Sequence, residues 1–557
     1  MKQVTRRQVL KAGAAGIAGL AVSPAAKMFG AVPLIKGDLI FRPHLHPLMD
    51  SIDSVYLADE NGDPFASPVR TTNAGIIVPD NIDRPFSLNS KFFIEGFGNV
   101  WLEARNGGEM YSADDFSDGR TLNLNYEFAR TLIAKNVSVM QRYGRESNTQ
   151  FSTETIHLQE LGQELVRMAA RSDDETMAEL SDQSLLYALW ASEKIELDQA
   201  RWTLNRQARS DTFHFGCETR QYVWAKSVDM VDRFVELFNY ATVTHYIYDT
   251  WYPVFEPREG EHRFGIKDEI VDWLTEHDIT IEGRPLVWFH PWVMPDWLRE
   301  KNYDQLKEYV QRHVREVVGH YGDKIEHWEV VNEYHDWANE FRHTPDQITE
   351  ITRLACETTH EVNPDIVRII NNCCSFGEYV AGGRDSAGEV DRPLRTPIRF
   401  VEELLEADVP FEVTGVQMYF PERTLADIVR LLERFAALGK PVYITEIGAT
   451  SGPTREDIFT GKMSIPEAPY DWHRPWDEDL QADWLEQLYT ILYSKPYIEN
   501  LSWYDFADFR TFIPNGGLIR MDGERKPSFY RLEDLLEDWE RLPTKRERDV
   551  TGGPLER

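Results

Sequence analysis

The sequence predicts an α/β fold: a (β/α)8 TIM barrel preceded by a small β-sandwich-like domain and a helical connector. Three observations carry that reading. Between about residues 211 and 541, β-branched and apolar runs such as HWEVVNE, RIINN and PVYITEIG alternate with amphipathic segments such as YDQLKEYVQRHVREVVGHY and ADIVRLLERFAALG. Regular β/α alternation of this kind suits a parallel sheet closed into a barrel. Two of the β-type runs end in a glutamate, Glu333 and Glu446, which fits barrels whose functional groups sit at C-terminal strand ends. The first run continues as FGCETRQ, which lacks the Gly-rich phosphate turn expected of an open, doubly wound sheet.

Taken in order, the elements divide the 557 residues into five parts. Residues 1–31 hold Thr5-Arg6-Arg7-Gln8-Val9-Leu10-Lys11, then a weakly apolar Ala/Gly run, then small residues; this resembles a twin-arginine export signal, with Ala26 or Ala31 as the expected cleavage point. The run is too mild, and too soon broken by Lys27, for a membrane span of about 20 apolar residues. Export to the periplasm or beyond is therefore expected. Residues 32–115 set short β-type runs (DSVYLAD, AGIIVP, SKFFIEGFG, VWLEARNGG) between Gly, Pro, Asn and Asp turns, the pattern of a β-sandwich or jelly roll. Either a carbohydrate-binding module or a lid packed on the barrel would have this pattern. Residues 116–210 change to helical spacing and read as a helical connector. The barrel occupies 211–541, with helices expected at VDMVDRFVELF (228–238) and LQADWLEQLYTIL among others, and 542–557 reads as a frayed tail.

Paired carboxylates at strand ends have a specific use. Breaking a glycosidic bond needs one carboxylic acid to protonate the leaving oxygen and one carboxylate to meet the oxocarbenium-like carbon. Glu333 and Glu446 can divide those roles.

The surrounding motifs resemble glycoside hydrolase family 10, the endo-xylanase family, over about residues 212–540. In order along the chain, FHFGC is similar to the first strand and FEPREGEHRF (255–264) to the E-P-x-x-G-x-F segment. GRPLVWFHPWVMPDWL (283–298) is similar to G-H-x-L-V-W-H…P-x-W, and WEVVNE (328–333) to W-D-V-V-N-E. VNPDIVRIINNCC, GVQMYF, ITEIGA and LSWYDFADF resemble the fifth to eighth strands. The resemblance implies a retaining hydrolase acting on β-1,4-linked polysaccharide, with xylan as the expected substrate. Glu333 would be the acid/base, Glu446 the nucleophile and Asn332 a partner for the sugar's 2-hydroxyl. His290, Gln417, Tyr419, Trp288, Trp503 and Tyr504 would bind substrate.

The departures are as informative. The T-x-E-N-x-x-K-W cluster after the second strand is not restored by any alignment of ATVTHYIYDTWYPVFEP, and the third-strand His has either moved to His290 or become Phe289. Tyr419 stands where the sixth strand normally carries a His. The same mechanism on a different β-glycan, and a glycan-binding protein without catalysis, are the alternative readings.

Composition excludes other classes. A formal charge of −33 argues against nucleic acid and anionic membrane surfaces as partners. Four cysteines, two of them adjacent (Cys373, Cys374), predict no disulfide framework and offer no metal-ligand spacing. His44-Leu45-His46, flanked by prolines, lacks a third ligand. The Asp59–Asp63 stretch DENGD lacks the later Glu of a calcium loop and reads as a hairpin turn. No cofactor and no metal are expected, and the sequence leaves oligomeric state open.

Overall fold

The computed structural model describes residues 37–542 except 53, 117–119, 208, 249–253, 420–422 and 453–471. The export segment with Ala26 and Ala31, and residues 543–557, lie outside the described residues.

Eight parallel strands close into a barrel: His214–Glu218, Tyr240–Thr244, Thr280–Arg284, His327–Asn332, Val367–Asn372, Val413–Met418, Val442–Ile447 and Ile498–Trp503. The eighth pairs with the first in the register Leu501↔Phe215 and Trp503↔Cys217, which completes the ring. Strands buried on both faces must read as nearly continuous apolar or satisfied residues, and the fourth and seventh are buried at every position. The lower interior is filled by Tyr240, Ile369, Val413 and Tyr443, with the Tyr240 hydroxyl donating to Glu282 at 2.7 Å.

Helices between strands form by the expected local rules. Tyr303–Tyr321 starts on a capping box, Asn302 with Gln305, and stops at Gly322, whose φ is 56°. Its buried residues, among them Leu306, Val310, His313, Val314, Val317 and Tyr321, fall on one stripe of helical period. The 228–238 segment differs from expectation. Two short helices, Tyr222–Ser227 and Asp232–Val235, replace one long one, because Asp229 adopts a φ of 53° and the chain turns there. The apolar spacing is still used: Phe234 packs on Phe238 and Phe506.

Before the barrel, the strand-rich region holds two four-stranded sheets. One runs Arg70–Thr72, Gly75–Val78, Leu39–Arg42, Thr121–Asn123; the other runs Pro64–Phe65, Val55–Ala58, Ser87–Ile94, Gly98–Ala104. Their apolar faces share one core around Phe41, Phe86, Phe92 and Tyr111. The DENGD stretch is the turn between two of these strands, with the Gly62 amide donating to the Asp59 carbonyl at 3.0 Å. Three helices follow, Leu124–Glu146, Thr153–Ala169 and Asp174–Leu204, each with an N-cap side chain (Asn123, Ser152, Asp173) accepting a backbone N–H.

This N-terminal region is fastened to the barrel by buried polar contacts. The Arg423 guanidinium lies 4.6 Å from the Trp101 ring and 4.3 Å from the Phe376 ring, forms an ion pair with Glu378, and donates to the Tyr56 hydroxyl at 3.2 Å. Just past the Glu478–Ser494 helix, the Lys495 ammonium sits 3.3 Å from Glu196 and 3.2 Å from the Tyr143 hydroxyl. Removing one member of a buried ion pair leaves the other charge without compensation. Arg423→Ala is expected to lower unfolding free energy by about 3–5 kcal/mol in urea denaturation; a loss within the range of ordinary surface substitutions would show that the contact does not fasten the two regions.

Candidate active site

Both sequence-selected glutamates emerge at the same rim. Glu333 follows Asn332, the last residue of the fourth strand, and Glu446 is the penultimate residue of the seventh. All strands being parallel, these are C-terminal ends.

Glu333 is held in an unusual local geometry. Its φ is 56°, a left-handed conformation that non-glycine residues adopt with strain and that is concentrated at functional positions. The backbone is fixed there by its N–H donating to the Asn371 carbonyl and by its carbonyl accepting from Ala338, both at 2.9 Å. The side chain accepts from the Trp288 indole at Oε2 and from the Gln417 carboxamide at Oε1, each at 2.9 Å. Burial pushes its pKa up to about 7; the Gln417 hydrogen bond opposes this, and the negative charge of Glu446 adds to it.

Glu446 has a different setting. Oε1 is salt-bridged to the Arg284 guanidinium, and Oε2 accepts from the Tyr419 hydroxyl at 2.6 Å. Tyr419 reaches it because Gly448 has no side chain: a Cβ there would come within 2.9 Å of the Tyr419 ring. Burial and the adjacent carboxylate push the Tyr419 phenol well above its ordinary range. Gln417 is in register with Glu446 on the neighbouring strand while bonding Glu333, so a single residue spans the pair.

The remaining sequence-selected residues divide. Asn332 is buried and accepts from Asn371 at 3.2 Å, and Asn371 in turn accepts from Thr445 at 2.6 Å, giving a polar rung across the fourth, fifth and seventh strands. His290 lies between Trp288 and Trp292, with ring centroids at 5.2 and 4.6 Å, and burial pushes its pKa down to about 3. Phe289 packs outward on Tyr334 and Phe341, so the imidazole near the site is that of His290. Tyr504 sits 6.0 Å from Tyr419, with the Arg220 and Arg284 guanidinium groups at 4.4 and 5.5 Å from its ring. Trp503 requires a correction. It is fully buried, donates to the Gly516 carbonyl at 2.9 Å, and meets Trp484 and Tyr489 of the Glu478–Ser494 helix. Successive strand residues face opposite sides, so Trp503 serves the outer layer and cannot stack on a substrate.

Arg284 was not selected from sequence. It ends the third strand, is 1 % exposed, and has its Nε 3.6 Å from Glu329 while Nη2 meets Glu446. The available signal was its position: in GRPLVW it occupies the place of the His in G-H-x-L-V-W.

A closed parallel barrel presenting two buried carboxylates at its C-terminal rim, one held as an acid and one ion-paired, is the architecture of a carbohydrate-cleaving hydrolase. The model of glycosyl hydrolase family 10 matches residues 204–533, more than half of the sequence, and the chain belongs to that family. It is 23% identical over 296 residues to endo-1,4-beta-xylanase B of Thermotoga neapolitana, covering 51% of this chain and 77% of that protein. It is 30% identical over 209 residues to a beta-1,4-xylanase of Dictyoglomus thermophilum, covering 35% of this chain and about half, 53%, of that one. Native xylanase 10B from Thermotoga maritima overlays 59% of this chain and 96% of its own at 20% identity, with a TM-score of 0.44. The protein is a glycoside hydrolase.

The raised pKa of Glu333 has a stability consequence. The native state holds this proton up to about pH 7, while an unfolded Glu loses it near 4.5. Its contribution is thus fully present below pH 4.5 and is lost as pH rises through 7, because the folded state binds more protons in that window. The parent is expected to lose about 3 kcal/mol more unfolding free energy between pH 5 and 8 than Glu333→Gln does. Equal losses in calorimetric or denaturant titrations would contradict the assigned environment.

Proposed function

We propose that this protein is an exported, retaining hydrolase of β-1,4-linked polysaccharide, endo-1,4-beta-xylanase-like, with xylan as its substrate. Glu333 is the acid/base and Glu446 the nucleophile. The observation that carries this reading is the inequality of the two carboxyls. One is buried without a cation of its own and stays protonated to about pH 7; the other is paired with Arg284 and Tyr419. Titratable groups whose environments are pushed apart mark acid and nucleophile.

The chemistry follows from that inequality. Glu333 gives its proton to the glycosidic oxygen as Glu446 attacks the anomeric carbon, so the leaving group departs neutral and a glycosyl ester forms on Glu446. Esterification removes the charge of Glu446, one of the influences that hold the Glu333 pKa high. Having given its proton to the leaving group, Glu333 now has a lower pKa and stays ionised, so it is available as the base that takes a proton from the incoming water. Asn332 supports the reading as a donor toward the 2-hydroxyl. Trp288 has a dual use, orienting Glu333 through its indole N–H and offering a face to sugar. The xylanases among the relatives favour xylan, and residues 1–31 favour export through their resemblance to a twin-arginine signal.

A second reading, a different β-glycan cleaved by the same mechanism, is favoured by the second strand's exit. His245 is fully buried there, with one ring nitrogen 2.9 Å from the Tyr321 hydroxyl, and Tyr246 packs on Trp288 at 4.9 Å. No Glu-Asn-Lys set stands at these positions to grip a xylose unit.

Reducing-sugar release from a panel of soluble polysaccharides distinguishes the two readings: xylan is expected to give the largest rate, and a larger rate on mannan or a mixed-linkage glucan would transfer the assignment. Glu446→Ala is expected to abolish turnover of every natural substrate. Glu333→Ala should still be glycosylated by aryl glycosides with good leaving groups, and azide should release a β-glycosyl azide from it. An α-azide from the Glu333 variant would mean that the roles are exchanged. Tyr419→Phe should keep the fold and lose roughly 10- to 150-fold in kcat/KM, matching about 1.5–3 kcal/mol for a hydrogen bond to a charged group.

A further inference from the structure

Outside the catalytic rim, a second cluster of donor atoms converges where the loop after the second strand meets the Tyr303–Tyr321 helix. Glu256 and His262 belong to the loop and His313 to the helix. Three atoms form a small triangle: His313 Nδ1 lies 3.1 Å from Glu256 Oε2, His262 Nε2 lies 3.2 Å from His313 Nδ1, and His262 Nε2 lies 3.6 Å from Glu256 Oε2. A tetrahedral ion with bonds of about 2.0–2.1 Å sets its ligand atoms about 3.3–3.4 Å apart. The triangle has that size. The Tyr309 hydroxyl, 2.7 Å from the same Glu256 oxygen and 3.3 Å from His313 Nδ1, stands beside a fourth position.

Proton accounting favours a cation at this point. Glu316, on the same helix, has its carboxylate 3.4 Å from His262 Nδ1, which places that ring's proton on Nδ1 and turns the Nε2 lone pair inward. Glu256 presents an oxygen lone pair, and its other oxygen already accepts from the Gly260 amide at 2.7 Å. Without an ion, one hydrogen on His313 Nδ1 must serve both Glu256 and His262. An ion would use all three lone pairs at once, displace that hydrogen, and leave His313 as the Nε2–H tautomer. Burial suits a structural role: the side chains of Glu256 and His313 are 1 % exposed and that of His262 is 5 % exposed.

We propose that Glu256, His262 and His313 form a binding site for a divalent cation of the zinc class, two imidazole nitrogens and a carboxylate oxygen being a donor set suited to that ion. The ion staples the loop to the helix. The loop's anchoring is already local, with the Glu256 amide donating to the Ile247 carbonyl at 3.1 Å and the Arg263 amide to the Phe255 carbonyl at 2.8 Å. Nearer the strand, His245 and Tyr246 abut Tyr321 and Trp288, and the Trp288 indole bonds Glu333.

The test uses the full chain, stripped with a chelator, freed of it, and titrated with ZnCl2 by calorimetry, with Co²⁺ as a spectroscopic probe. One zinc per chain, a raised Tm on zinc addition and the intense visible absorption of four-coordinate cobalt are expected. His262→Gln, which alters only the loop, should weaken zinc at least about 100-fold, and Glu316→Gln, which removes the partner of His262, about 10- to 100-fold. His44→Ala, at the His44–Asp174 surface pair, should leave affinity unchanged. Failure of the parent to bind one equivalent, or parent-like affinity in His262→Gln, overturns the proposal. If His262→Gln does not fold by circular dichroism, the Glu316→Gln result decides, unchanged affinity counting against the site.

Discussion

One buried guanidinium governs the interior of this barrel. Arg284 sits where Glu446, Glu329, Glu282 and Glu218 all project inward, and its cation opposes the upward push that burial gives Glu329, Glu282 and Glu218. Burial nevertheless prevails at these three: Glu329 is pushed well above the ordinary carboxylate range, Glu282 to about 7, and Glu218 upward. Its Nη2 pairs with Glu446 at the C-terminal end of the seventh strand, while its Nε lies 3.6 Å from Glu329. Arg284 is ion-paired with Glu446, whereas Glu333 is bonded by the neutral Trp288 and Gln417, and that inequality is the asymmetry on which the chemistry depends.

The asymmetry is maintained by backbone as much as by charge. Glu333 leaves its strand in a left-handed conformation fixed from both sides, and its carboxyl is bonded by Trp288 and Gln417. Tyr419 over Gly448 completes the enclosure of Glu446 from the opposite side. Neither carboxyl therefore relies on solvent for orientation, and the strands that carry them are themselves buried throughout. Pre-organisation of this kind keeps reorganisation small when charge moves.

The barrel and the strand-rich segment before it were legible in the sequence, because alternating runs of period two and 3.6 survive any local irregularity. The 228–238 helix was not, since apolar spacing is blind to Asp229 taking a positive φ. Side-chain direction was the harder matter. On the eighth strand the inward residues are Asn500 and Ser502 and the outward ones Leu501 and Trp503, so a large aromatic next to a rim was no guide to its face. Arg284 and Glu446 are 162 residues apart, and nothing in either stretch points to the other until the strands are adjacent. The Glu256, His262 and His313 cluster was hidden for the same reason: two ligands are on a loop and the third 51 residues beyond His262 on a helix, so no compact spacing announces it.

Replacing the usual sixth-strand imidazole by Tyr419 alters what the site can remember. With that phenol above its ordinary range and the His290 imidazole at about 3, Glu333 is the group among these three whose protonation changes near neutral pH. Under the proposed mechanism the rim then stores one bit, a proton present or absent, written by whether Glu446 is free or bonded to sugar. Neither Tyr419 nor His290 competes to overwrite it, so in the proposed double displacement the order of the two half-reactions follows the charge of Glu446.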